Sequence, residues 1–376
     1  MKNLLQILTI IFSLIKCQNP TLLQTGERWS EERAWEWHNK NGWMAGTNFN
    51  PSTAINQLEF FQKETFDLET IDQELRWSAE LGMKIHRVYL HNLLWDQDSI
   101  GFLKRLNAYL KISEMHQLKT MFVLLDDVWH PLPKLGKQPD PIPFVHNSGW
   151  VQAPGAEILG DSLRHDELKN YIKGVVSHFK NDQRVVAWDL YNEPDNVASD
   201  PGRDVLELKD KYIYTFALLK KVVQWTREVN PSQPLTVGLW KGDHTLWGTP
   251  KKLRPLERFM VKNSDVISFH SYDGPQITKE KINALKNYNR PILCTEYLAR
   301  TNGSTFEAIL PIFKKNGIHA INWGFVAGKT NTIFPWSSWR TDFDSIPKIW
   351  HHDIYRKDKS PFSESEITLL KQELIE

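Results

Sequence analysis

Eight short apolar runs recur along the chain, at 43–48, 85–90, 121–125, 185–190, 235–239, 266–270, 292–296 and 320–325. Apolar along their length, they read as strands buried on both faces, as in a parallel sheet. Longer segments of helical period lie between them. The segment 70–81 stops at Gly82, a good residue to end a helix. The segment 102–115 gathers Leu103, Leu106, Leu110 and Met115 near one face, and 209–228 carries Phe216, Leu219, Val223 and Trp225. Eight βα units close a barrel, so the pattern predicts a single-domain α/β fold, a (β/α)8 barrel. The competing fold, an open doubly wound sheet, usually has a glycine-rich phosphate loop after its first strand. Asn48-Phe49-Asn50-Pro51 is not one.

One connection breaks the rhythm. From Trp129 to Gly160 the chain is proline-rich with little periodicity. A long irregular loop in a compact domain is usually functional or disordered. This one holds Trp129, His130, His146 and Trp150, and follows the third strand, which places it on the C-terminal face of a barrel. It reads as a wall for substrate.

Length and composition narrow the function. The 376 residues suit one large barrel with extended loops. A net charge of +1, with Lys and Arg scattered, gives no footprint for nucleic acid or a membrane surface. The 16 Trp exceed what a core needs, and tryptophan faces pack well on sugar rings. Lys2 followed by the apolar stretch 4–15 reads as a signal peptide covering 1–17, too short to anchor, with the barrel domain occupying 18–376. Leu14-Ile15-Lys16-Cys17 resembles a bacterial lipoprotein processing site, although Lys16 stands where a small residue is usual. The expected location is therefore outside the cytoplasm: periplasmic, secreted or lipid-anchored at Cys17. With Cys294 inside a buried run, no disulfide is expected.

The fourth run ends in Trp188-Asp189-Leu190-Tyr191-Asn192-Glu193-Pro194, and the seventh in Pro291-Ile292-Leu293-Cys294-Thr295-Glu296-Tyr297. Each delivers a glutamate to the barrel rim, three βα units apart. Either one alone could be a strand-end salt bridge. Together the two endings resemble glycoside hydrolase clan A, family 5 above all. The resemblance extends from about Trp43 to Trp336. It implies that Glu193 is the acid/base, that Asn192 binds the sugar 2-hydroxyl, and that Glu296 is the nucleophile. Retaining glycosidases need such carboxyls roughly 5–5.5 Å apart, which strand ends on one rim can supply.

Further positions fit that family. Arg87 corresponds to an arginine beside the nucleophile, His270-Ser271-Tyr272 to its His-x-Tyr, and Trp323 to the tryptophan under the scissile sugar. The third strand departs from it: Leu125-Asp126-Asp127-Val128-Trp129 replaces the usual histidine and is closer to some mannan-cleaving members. Asp127 is thus a candidate for sugar hydroxyls, or else a loop cap. The stretch 323–331 with Pro335-Trp336 resembles exported bacterial proteins labelled xylanase or cellulase-like. It adds Lys329 and Trp336 to the substrate candidates, beside Trp129, Trp150, Trp240 and His244.

The expected activity is retaining hydrolysis of a β-linked oligo- or polysaccharide. A transglycosidase would use the same site, and a non-catalytic carbohydrate-binding protein would need only its walls. No protein partner is implied. Neither a metal nor a cofactor is expected, since no His-x-His or His-Glu-x-x-His pattern, phosphate loop or nucleotide fingerprint occurs.

Overall fold

The computed structural model describes residues 26–197 and 203–375. The signal-peptide segment and Cys17 lie outside them. The strands are β1 (Ala45–Asn48), β2 (Ile85–Tyr89), β3 (Lys119–Val123), β4 (Val185–Asp189), β5 (Leu235–Thr236), β6 (Ile267–His270), β7 (Ile292–Glu296) and β8 (His319–Trp323). All pair in parallel in the order β5-β4-β3-β2-β1-β8-β7-β6. A bridge from Leu239 to Phe269 joins the two ends, so the sheet curls into a (β/α)8 barrel.

Several elements differ from the sequence reading for local reasons. β5 stops early because the Val237 amide leaves the ladder for the Ser264 hydroxyl at 3.1 Å, and the chain rejoins β6 only at Leu239. β8 ends at Trp323 because Gly324 turns out of the sheet at φ +81°. A side chain there would also meet His352 and Asp353 within 2.7 Å. The helix expected at 102–115 begins at Asn92, capped by His91, with a break at Asp98. Elsewhere the caps act as the residue types suggest. Asp67 accepts from Thr70 N at 3.1 Å to start Leu68–Glu80, and Gly317 at φ +66° ends Phe306–Asn316.

Two apolar layers hold the barrel. The larger lies between strands and helices. The smaller fills the lower lumen with Met44, Ile85, Met121, Ala187, Leu293 and Ile321. It is closed below by the helix Glu31–Asn41, whose buried Trp37 donates to Val186 O at 3.0 Å. The upper lumen is polar, contrary to strands apolar throughout. Along β2 the residues Ile85, Arg87 and Tyr89 share one face, and that face turns from apolar to polar toward the C-terminal rim.

The loop 129–160 is more ordered than its composition suggests. It folds back on itself, pairing Asp126 with Ala153 and His130 with Val151, and ends in a short helix at Ala156–Leu159.

Candidate active site

Strand ends converge on one cluster. Arg87, 0 % exposed, reaches across the lumen. It donates to Asp189 Oδ2 from Nε (3.0 Å) and Nη2 (2.7 Å), to Asn192 Oδ1 (2.7 Å), to Asn48 Oδ1 (2.8 Å) and to Glu296 Oε1 (2.8 Å). A buried guanidinium needs such a full set of acceptors. Glu296 also accepts from Tyr89 Oη at 2.7 Å on Oε1 and from Tyr272 Oη at 2.7 Å on Oε2. Burial pushes its carboxyl upward. The neighbouring His270 and Arg87 and the two tyrosine hydroxyls outweigh this and hold it below the usual glutamate value.

Glu193 sits at the turn after β4 with φ +41°, a left-handed backbone that non-glycine residues rarely adopt. Such strain persists where surrounding structure enforces it. Its Oε1 lies 2.8 Å from His270 Nδ1, and its Oε2 accepts from Asn196 Nδ2 at 2.5 Å. The same His270 nitrogen is 3.5 Å from Glu296 Oε2. One carboxylate oxygen of each glutamate therefore lies within 4.8 Å of the other. With His270 these atoms are also close enough to share a cation, although hydrogen bonds within the cluster already satisfy them.

Asn192 is pinned from both sides, by Arg87 and by Asp126 Oδ1, to which its Nδ2 donates at 2.9 Å. Asp126 Oδ2 accepts from Trp150 Nε1 at 2.7 Å. Burial drives the Asp126 carboxyl up to about 8 against the pull of these donors.

Above this cluster opens a cavity of about 390 Å³. Glu193, Glu296, Asn192, His270, Tyr272 and Trp323 form its base, and Trp129, Trp240 and Trp336 its sides. Four candidates lie elsewhere. Asp127 points away from the cavity and is 0 % exposed, accepting from Tyr191 (2.8 Å), Thr215 (2.7 Å) and Asp195 N (2.7 Å), beside Lys211. Its expected contact with sugar is corrected to a structural one, since these donors saturate it. Lys329 lies outside the cavity, 2.6 Å from Glu59. Trp150 is buried behind Trp323, 5.8 Å between ring centroids. His244 pairs with Glu280 at 3.0 Å outside the cavity.

Sequence reasoning passes over Asn48, Tyr89, Asp189 and Asn196, and over His352 in the cavity wall, where His146 of the loop read as a substrate wall also lies. For Tyr89 a signal existed: it stands two residues beyond Arg87 on one strand, and so on the same face.

The sequence profile described as cellulase (glycosyl hydrolase family 5) matches residues 144–328, a span holding both Glu193 and Glu296. Over that span the chain resembles family 5 of glycoside hydrolase clan A. No curated protein matches it in sequence. Among solved structures, this glycosidase resembles a GH5_18 variant from Streptomyces cattleya in complex with Manb1-4GlcNAc, at TM-score 0.57 and 11% identity over 89% of this chain and 80% of that one. It also resembles the endo-beta-1,4-mannanase from Thermotoga petrophila (TM-score 0.55, 14% identity, 90% and 77%). A third is the beta-mannanase from blue mussel Mytilus edulis (0.52, 16%, 79% and 89%). At these identities the likeness is one of fold. As a family 5-like enzyme, the chain hydrolyses O-glycosyl bonds.

Proposed function

We propose that the protein is a retaining β-glycosidase in which Glu296 attacks and Glu193 is the acid/base, with β-mannosides as the first substrates to test. The observation that carries this reading is the asymmetry of the two glutamates. Their oxygens lie within 4.8 Å, the short spacing of a double displacement. Only Glu296 is held by Arg87 and two tyrosines, which favour its ionised form. In the first step a Glu296 oxygen bonds to the anomeric carbon. The bond to the leaving oxygen breaks, and that oxygen takes the proton from Glu193. In the second, water gives a proton to Glu193 and bonds to the same carbon as the Glu296 ester breaks, so configuration is retained.

Asn192, fixed between Arg87 and Asp126, presents its amide edge to the cavity and suits a sugar 2-hydroxyl. Trp323 supplies a flat apolar face for the ring. The mannoside preference leans on the mannosyl ligand and mannanase names of the structural relatives. Export is part of the same proposal, with cleavage or lipidation near Cys17. Mass spectrometry of the mature N-terminus tests it.

The central test is the first-formed anomer, read by proton NMR during hydrolysis of a β-linked oligosaccharide. A β product supports double displacement, and an α product overturns it. Glu296→Gln is expected to lower kcat by on the order of 10³-fold or more. Glu193→Gln is expected to cost about 10²–10⁴-fold, least with substrates whose leaving group needs no protonation.

A further inference from the structure

The cavity is walled at one end. The loop after β3 and the segment after β8 are tied together there: Asn147 N donates to Thr330 O at 2.7 Å, and His146 N to Ser338 Oγ at 2.9 Å. Arg203, following β4, donates to Ser148 O and stacks 3.8 Å over the Trp339 ring, which itself stacks on Trp129 at 5.9 Å. Three loops that would leave a long cleft open are thereby joined into one barrier.

Two contacts show which end is closed. Glu193, the proposed proton donor, marks the leaving-group side. Its neighbours there are Asn196 and Trp240, the latter bonded to Pro194 O at 3.1 Å. Beyond Glu296 the order is different. Tyr272 touches Glu296 at 2.7 Å, and its other flank meets Trp336 at 5.0 Å between centroids, with His352 at 5.6 Å. The wall thus starts one aromatic ring past the nucleophile, which leaves room for one sugar. The volume of about 390 Å³ also sits at the low end of ligand cavities, which run roughly 300–1,000 Å³.

The wall carries its own recognition chemistry. His352 Nδ1 donates to the main-chain oxygen of Leu298, and His146 Nδ1 to Phe334 O at 2.8 Å. A carbonyl only accepts, so the proton is on Nδ1 in both rings, and each neutral Nε2 is an acceptor. His352 Nε2 is buried without a partner, and both rings line the cavity. Burial holds His146 down to about 4 and His352 well below the usual histidine value, so both stay neutral near pH 7. Among the described residues these nitrogens form no metal-holding group.

We propose that the enzyme acts on chain ends, releasing the non-reducing terminal sugar one unit at a time, with hydroxyls of that sugar donating to His352 and His146. This rests on the assignment of Glu193 and Glu296 above.

The test uses β-1,4-linked manno-, cello- and xylohexaose labelled at the reducing end, with product lengths followed in time. Expected is free monosaccharide from the outset, with labelled products shortening by one unit per step. A hexaose capped by a bulky group on its non-reducing O4 should resist. Early products of intermediate length, or cleavage of the capped chain, overturn end-wise action and leave the glycosidase reading intact. No cleavage of any hexaose or aryl β-glycoside overturns that reading, and the end-wise proposal with it.

Aryl glycosides lacking one hydroxyl at a time test the histidines. In the wild type, one deletion should lower kcat/KM about 10–100-fold, and His352→Ala or His146→Ala should show no further loss from that same deletion. If no deletion matters in the wild type, or the deletion costs as much in both variants, the histidines do not read the sugar. The wild-type series alone decides if a variant fails to fold.

Discussion

Arg87 Nη1 lies 2.8 Å from Glu296 Oε1, a buried ion pair spanning the lumen from β2 to β7, with β1 and β8 between them in the sheet. The pair fixes both the position of the proposed nucleophile and its charge.

Arg87→Met therefore removes a cation that favours the carboxylate. With burial left opposing ionisation, the Glu296 carboxyl rises. The attacking form is then lost at a higher pH, so the acid limb of kcat/KM should move up by about one unit or more. The stability cost should be roughly 3–5 kcal/mol, because Asp189 and Glu296 lose their partner. An acid limb that stays in place would show that Arg87 does not control Glu296.

Asp127 should behave as a strut. Asp127→Ala leaves the hydroxyls of Tyr191 and Thr215, the Asp195 amide and the Lys211 ammonium without their acceptor. The expected loss is about 3–5 kcal/mol of stability, seen in urea unfolding. KM should change little in whatever fraction stays folded. A large rise in KM with unchanged stability would place Asp127 at the substrate instead.

Acid should destabilise the fold. His86, His91, His319 and His351 are held down to about 3 by burial, and His146 to about 4. Between those values and 6.5 the unfolded chain binds protons that the folded chain refuses, so stability rises with pH in that window and is lost as pH falls through it. Glu74 and Asp126, pushed up to about 8 by burial, act in the opposite sense above the ordinary carboxylate range. His352, also held well below the usual value, joins the five imidazoles, and Asp353, pushed up to about 6, joins the two carboxyls, leaving a net loss of stability from about pH 6 to pH 4. Tm against pH checks this, and a Tm that is flat or rises on acidification contradicts it.

The C-terminal helix Glu364–Ile375 should be needed by the site it does not touch. Glu366 pairs with buried Arg300 (Nη2 to Oε2, 2.6 Å), and Arg300 also donates to Trp350 O and His352 O. Glu366→Gln should cost on the order of 3 kcal/mol and raise KM by loosening the wall at His352. Thermal unfolding and a KM-against-kcat comparison read the two effects. An unchanged KM would uncouple helix and wall.

The barrel is legible in the sequence because its signal is repetitive: eight βα units impose one answer even where individual ends slip. Glu193 and Glu296 stand out for a related reason, each closing an apolar strand. What is hidden depends on partners distant in sequence. Lys329 looks free on its loop until Glu59, 270 residues earlier in the chain, is seen against it. Tyr89 reads as core until its hydroxyl meets Glu296, and Asp127 as a surface ligand until the helix Lys211–Val229 brings Thr215 to it. His351-His352 makes a poor metal motif in sequence. Their environment comes from loops that no local pattern brings together.

The ties in the cavity wall end largely on main-chain oxygens: those of Thr330, Phe334, Ser148, Ile142 and Leu298. Every residue type offers that acceptor. The donors are more particular: four of these five ties come from the side chains of His146, Arg203, Asn331 and His352, so the barrier tolerates change at its acceptors and not at those donors. His146 and His352 both tie the wall and line the cavity, so in descendants of this chain the depth of the pocket and its lining are coupled: exchanging either histidine alters closure and recognition together.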